Sequence, residues 1–148
     1  MKHERAHART LGLLILYEVD CVGHSPESVL SRYLQEENKL SDSGIAFVRR
    51  LVIGTLENAS SLDRLVAGCA PEWPVEELAI VDRNILRIAL WEFGVAGETP
   101  IKVAINEAVE LAKRFGSDSA PRFVNGVLGT LAQREDEIRR EFQLVRHS

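Results

Sequence analysis

Two short stretches of the chain hold the residue types best suited to chemistry. In MKHERAHART, residues 1–10, the cations Lys2, Arg5 and Arg9 stand against a single acid, Glu4, with His3 and His7 interleaved. Arg5 and Arg9 are four apart, so a helix would place them on one face, spaced to meet successive phosphates. In KRFGSDSAPRFVNG, residues 113–126, Lys113, Arg114 and Arg122 lie beside Phe115 and Phe123. Cations next to rings suit single-stranded RNA, whose phosphates take the charge while unstacked bases lie on aromatic faces. A helix restarting near Ser119 would add backbone amides able to accept an anion. Phe115 also falls on an apolar stripe, where a core role is the plainer explanation. A third stretch has the opposite sign. PEWPVEELAIVD, residues 71–82, contains Glu72, Glu76, Glu77 and Asp82 and no basic residue. It reads either as a solvated acidic turn or as a docking face for a basic partner, where complementary charge raises on-rate and selectivity.

Other chemistry finds little to work with. The four histidines, His3, His7, His24 and His147, fall near element ends or in polar stretches, and nothing pairs them with a nucleophile. His3 and His7 are one helical turn apart, a spacing that can ligate a metal, but no third ligand accompanies them. Cys21 and Cys69 are far apart and lack redox or zinc spacing, so buried free thiols are expected. No glycine-rich phosphate loop is present. The residues therefore point to a binding protein without enzymatic activity, metal or cofactor. The net charge of −4 argues against indiscriminate coating of nucleic acid, which needs clustered positive charge to displace counterions, so any such contact must use a local patch. The apolar run in LGLLILYEVDCVG is too short for a bilayer and is followed by Tyr17, Glu18 and Asp20 rather than a cleavage site. A soluble, cytoplasmic protein is the expectation.

The elements that must position these residues are helical throughout. A chain of 148 residues with 45% hydrophobic content can bury one sizeable core, and a single domain spanning 1–148 is expected. One helix should run from the first residues to about Cys21, stopped by Gly23 and Pro26. SPESVLSRYLQEENKL suggests a second, with Ser25 as cap and Pro26 at its first position. A third should start at Ser41 or Asp42 and carry an apolar stripe unbroken from 45 to 66. GCAPEWPVEE reads as a turn, and Leu78 to Phe93 as a helix apolar nearly all round, hence central. In IKVAINEAVELAKRFG, residues 101–116, apolar residues at 101, 104, 105, 108, 111, 112 and 115 make one face, with Pro100 in the first turn. Gly116 should close that helix in the left-handed conformation. Asn106 lies opposite its apolar face, either solvated or bonded to a loop or partner. A final helix begins at Ser119 or Asp118, and its densely charged part, about 134–148, reads as a solvated, frayed extension. The fold class is all-α, a compact bundle of six or seven helices.

IKVAINEAVELAKRFG followed by RFVNGVLG resembles the family of the transcription antitermination factor NusB. HARTLGLLILYEVD, FVRRLVIGTLEN and VDRNILRIALWEF extend the likeness over nearly the whole chain. The resemblance implies two packed helical subdomains and a non-enzymatic role. Proteins of this family bind the boxA segment of nascent RNA together with NusE, a ribosomal small-subunit protein, and help RNA polymerase read through terminators in ribosomal RNA operons. By this likeness Arg5 and Arg9, with Lys2 and His7, correspond to an arginine-rich opening that reaches RNA phosphates. Phe115, Phe123 and Asn125 match the FG and FVNG elements, with Lys113 and Arg122 as basic neighbours, and Glu76, Glu77 and Asp82 would face NusE.

Departures from the pattern matter as well. ERAHAR puts Ala6 and His7 where family members carry further arginines, and a histidine is charged mainly below about pH 6.5. RNA affinity should therefore lean more on the partner. Ser119 stands where a relative can carry an acid, which removes a repulsion from RNA. Two alternatives of other classes remain at this point: the related domain of RNA cytosine methyltransferases, for whose cofactor-binding unit 148 residues leave no room, and a self-associating structural module, a homodimer closed across the RNA-binding surface.

Overall fold

Helices form wherever the apolar residues recur at the helical period. The computed structural model describes residues 2–69 and 75–147, apart from the side chains of Lys2, Glu76 and residues 144–147. Eight α-helices and no strand occur among the described residues. They group into two compact units, Met1–Glu57 and Asn58–Ser148.

The first unit holds α1 (Lys2–Val22), α2 (Pro26–Glu36) and α3 (Asp42–Glu57). α1 stops where Gly23 takes φ 79°, a left-handed turn that glycine adopts without a Cβ penalty. Ser25 and Pro26 start α2 as the sequence suggests, although the Ser25 side chain makes no capping bond. α1 and α3 run alongside each other in the same direction, since Gly44 lies by Glu4 and Leu51 lies by Gly12. Contact is tight at Gly12, where a Cβ would come within 2.6 Å of a Leu51 methyl. Leu13, Ile15, Leu16, Leu30 and Leu51 are fully buried in this unit.

The second unit contains α4 (Ala59–Cys69), a 3-10 turn (Val75–Glu77), α5 (Ile80–Leu90), α6 (Ile101–Phe115), α7 (Ala120–Ala132) and α8 (Glu135–His147). α5 is its centre: every residue from Asn84 to Leu90 is buried. Buried Arg87 on α5 reaches Asp63 on α4 through two bonds of 2.7 and 2.8 Å, a bidentate pair that spends its donors where they meet acceptors. Beyond Leu90 the chain widens into a π-helical turn, Trp91–Val95, with the Ala96 amide donating to the Trp91 carbonyl at 2.8 Å.

Four expectations need correction. The stripe from 45 to 66 belongs to two helices, because the chain turns at Asn58, whose carbonyl accepts the Leu62 amide and starts α4. One residue of turn leaves the apolar period nearly in phase, so pattern alone cannot see the break. The last helix is also two, separated after Ala132, which raises the count to eight. Its charged part is no purely solvated extension. Ile138 is 0% and Phe142 3% exposed, and both pack on Gly94 of the π turn; spaced i,i+4, they share one face of the helix although the residues between them are charged. Finally, Gly116 has φ −92° and ψ −179°, an extended rather than left-handed residue. Glycine is needed there for space: a Cβ would sit 2.5 Å from the Ala120 Cβ and 3.0 Å from the Ala112 carbonyl oxygen.

Candidate nucleic-acid interface

In the first unit the cations of α1 rest on a ring. The Arg5 guanidinium lies 4.0 Å from the centroid of Phe47 on α3, and that of Arg9 lies 5.8 Å away. Such stacking leaves the outward edge of a guanidinium open to an anion while its face is held. The two arginines differ in access: Arg5 is half-buried, whereas Arg9 is only 6% exposed. His7 pairs with Glu37 at 3.1 Å. Burial pushes the Glu37 carboxyl up, but the Lys39 amide and His7 outweigh that together and hold it below its ordinary value. Glu4 accepts the Ser41 amide at 2.5 Å; bonding to Ser41 keeps its carboxyl ionised below the usual glutamate range. The Lys2 side chain lies outside the described residues. No group of three His, Cys, Asp or Glu residues able to hold a metal occurs among the described residues.

In the second unit the turn between α6 and α7 carries the other predicted cluster. Phe115 is half-buried at the end of α6 with the Arg114 guanidinium 4.9 Å from its ring centroid, and exposed Lys113 pairs with Glu110 at 3.2 Å. Ser119, Arg122 and Asn125 are exposed and Phe123 is half-buried. The first turn of α7 offers an anion less than the sequence suggests. The Ala120 amide donates to Ser117, the Phe123 amide to Ser119, and Pro121 has no N–H to give.

Ser119, Arg122 and Phe123 do not stand alone. With Glu77, Leu78, Ala79 and Asp82 they line one open groove of about 370 Å³. The acidic stretch and the cation-and-ring stretch, read from the sequence as separate faces, therefore share a wall. Exposed Glu77 marks its rim; the Glu76 side chain, with Glu72, Pro71 and Pro74, lies outside the described residues. Asp82 is the unusual member. Its Oδ1 is buried without a hydrogen-bond partner, and burial pushes its carboxyl above the ordinary aspartate range. Oδ1 faces the α6–α7 turn, 3.3 Å from where a Cβ on Gly116 would be.

Several features escaped the sequence reading. Neither Phe47, which carries two arginines, nor Leu78, which walls the groove, stands out in the sequence as a site residue. Cys21 is exposed and Cys69 half-buried, against the expected burial, because Cys21 falls on the last turn of α1, past its packed portion. Asn106 is exposed on α6. No helix among the described residues is long and apolar enough to cross a membrane.

The pattern of the NusB family matches residues 6–133, most of the chain. The chain belongs to the NusB family. This NusB-family protein is 51% identical over 138 residues to the transcription antitermination protein NusB of Roseiflexus sp. (strain RS-1), an alignment covering 92% of this chain and 96% of its relative. T. maritima NusB has the same fold, with a TM-score of 0.80 at 31% identity over 87% of this chain and 90% of the other. A chain in the crystal structure of antitermination factors NusB and NusE in complex with dsRNA gives a TM-score of 0.80 over 90% of this chain and 98% of its own. Its identity is 24%, a likeness of fold alone.

Proposed function

We propose that this NusB-family protein is a non-enzymatic transcription antitermination factor that binds boxA-type single-stranded RNA together with NusE. In that role it supports read-through by RNA polymerase in ribosomal RNA operons. The observation that carries this proposal is the groove at the α6–α7 turn, where Phe123 supplies a ring, Arg122 a cation and Ser119 a hydroxyl on one open wall. A base stacked on the ring with its phosphate at the arginine uses the first two of these. Phe115, Lys113 and Asn125 extend that surface along α6 and α7. Arg5, supported by Arg9 and flanked by His7 and Lys2, supplies phosphate contact in the first unit. Glu77 and Asp82, with Glu76, give NusE an acidic face.

The test is a titration of boxA RNA with the full chain, with and without purified NusE, at several salt concentrations. Weak, salt-sensitive binding to RNA alone and a clear gain with NusE are expected. Equal affinity with and without the partner would defeat the proposal.

A further inference from the structure

Arg9 is not placed as a phosphate contact should be. Its side chain is 6% exposed and its guanidinium stands over Phe47, so little of it is left for an incoming strand. A nearby cation on α3 is better presented. Three contacts fix the side of α3 that meets α1: Gly44 by Glu4, Phe47 under Arg5 and Arg9, and Leu51 by Gly12. Arg50 follows Phe47 by three residues, which sets it about 60° round from the ring at the edge of that side, and it is exposed. Arg49 is exposed too, but a step of about 100° per residue rotates it to the opposite flank of α3.

We propose that Arg50, rather than Arg9, is the second phosphate-binding cation beside Arg5, and that Arg9 is a positioning residue that braces the α1–α3 surface against Phe47. The inference rests on the RNA-binding function proposed above and names which side chains of the first unit serve it. The ligand chemistry is the phosphodiester backbone of a single strand, read by charge without base selection. Arg5 lies over a ring whose neighbour three residues along α3 is Arg50, while the Glu4 carboxylate is occupied by the Ser41 amide. A cation on α3 supplies what Ala6 and His7 withhold on α1.

The experiment measures the salt dependence of boxA RNA binding to the full chain in the presence of NusE, with thermal melting of each variant. Arg50→Ala should lower the slope of log affinity against log salt by about 0.7, the release of one counterion from a single strand, with an unchanged melting temperature. Arg50→Lys should restore the slope, since a point charge suffices for a phosphate. Arg49→Ala should leave the slope alone, and Arg9→Ala should lower the melting temperature. A wild-type slope for Arg50→Ala, or an equal loss from Arg49→Ala, overturns the assignment. Failure of the wild-type chain itself to bind the RNA with NusE is a different result, which removes the antitermination reading beneath it.

Discussion

The two cationic regions are built on opposite plans. At the α1–α3 surface the ring is underneath: Phe47 is buried at 3% exposure and the guanidinium groups lie over it. At the α6–α7 turn the rings of Phe115 and Phe123 are themselves half-exposed, and Phe123 shares its groove with a carboxylate. The first arrangement presents charge and nothing to stack on. The second presents an aromatic face, a cation and an acid together. Phosphates are the same at every nucleotide and bases are not, so the first plan suits holding a strand and the second suits selecting part of it.

That contrast is tested most strongly by removing the exposed ring. Phe123→Ala should weaken RNA binding by about 1–3 kcal/mol, the worth of one base–aromatic stack, while leaving the salt slope near its wild-type value. Isothermal titration at several salt concentrations reads both quantities. A reduced slope would mean that Phe123 acts by placing Arg122, and the distinction between a charge surface and a stacking surface would fail.

The glycines at the two sites give a second comparison. At Gly116 an added methyl would meet a Cβ and a backbone carbonyl oxygen, neither of which can rotate away; at Gly12 it would meet a leucine methyl, the far end of a flexible side chain. Gly116→Ala should therefore destabilise the fold by about 1–3 kcal/mol, the usual range for overpacking, and by more than Gly12→Ala. Denaturant unfolding of the two variants decides the order, and the reverse order would show that the α6–α7 turn yields more readily than its geometry implies.

How much of this was legible in the sequence follows from which interactions are local. The faces of α1 and α6 recur at the helical period, so their extents were readable within a residue or two, whereas α2 stops at Glu36, short of the Leu40 at which its stretch ends. The Asn58 turn was invisible because it barely disturbs that period. Ile138 and Phe142 were hidden by the charges around them, although their spacing was a signal in plain view. Contacts between distant segments left no local trace. Nothing in ERAHAR says that Arg9 lies over a ring from α3, and nothing in PEWPVEELAIVD says that Asp82 borders the same groove as Phe123. The types of the functional residues could be chosen from sequence, but which of them are accessible depends on packing.

The smallest effect concerns the acid in the groove. Burial raises the Asp82 carboxyl above its ordinary range, so the folded chain holds that proton more tightly than the unfolded chain does. The stabilising contribution is fully present at pH below the unfolded value and is lost as pH rises through the folded one, where the carboxylate must ionise in a partly buried place with Oδ1 unpartnered. Asp82→Asn, which keeps the shape and removes the charge, should melt slightly higher than the wild type near neutral pH. The difference should shrink toward zero as pH falls into the ordinary aspartate range. The α1–α3 surface provides the control: Glu4, held ionised by Ser41, has the opposite sign, so Glu4→Gln should lose stability near neutral pH and approach the wild type as the medium is acidified. Parallel melting curves of both variants over that pH range test the pair. Two differences of the same sign would mean that the carboxylates at the two regions occupy like environments, and the groove would then lose the feature that sets it apart from a simple cationic surface.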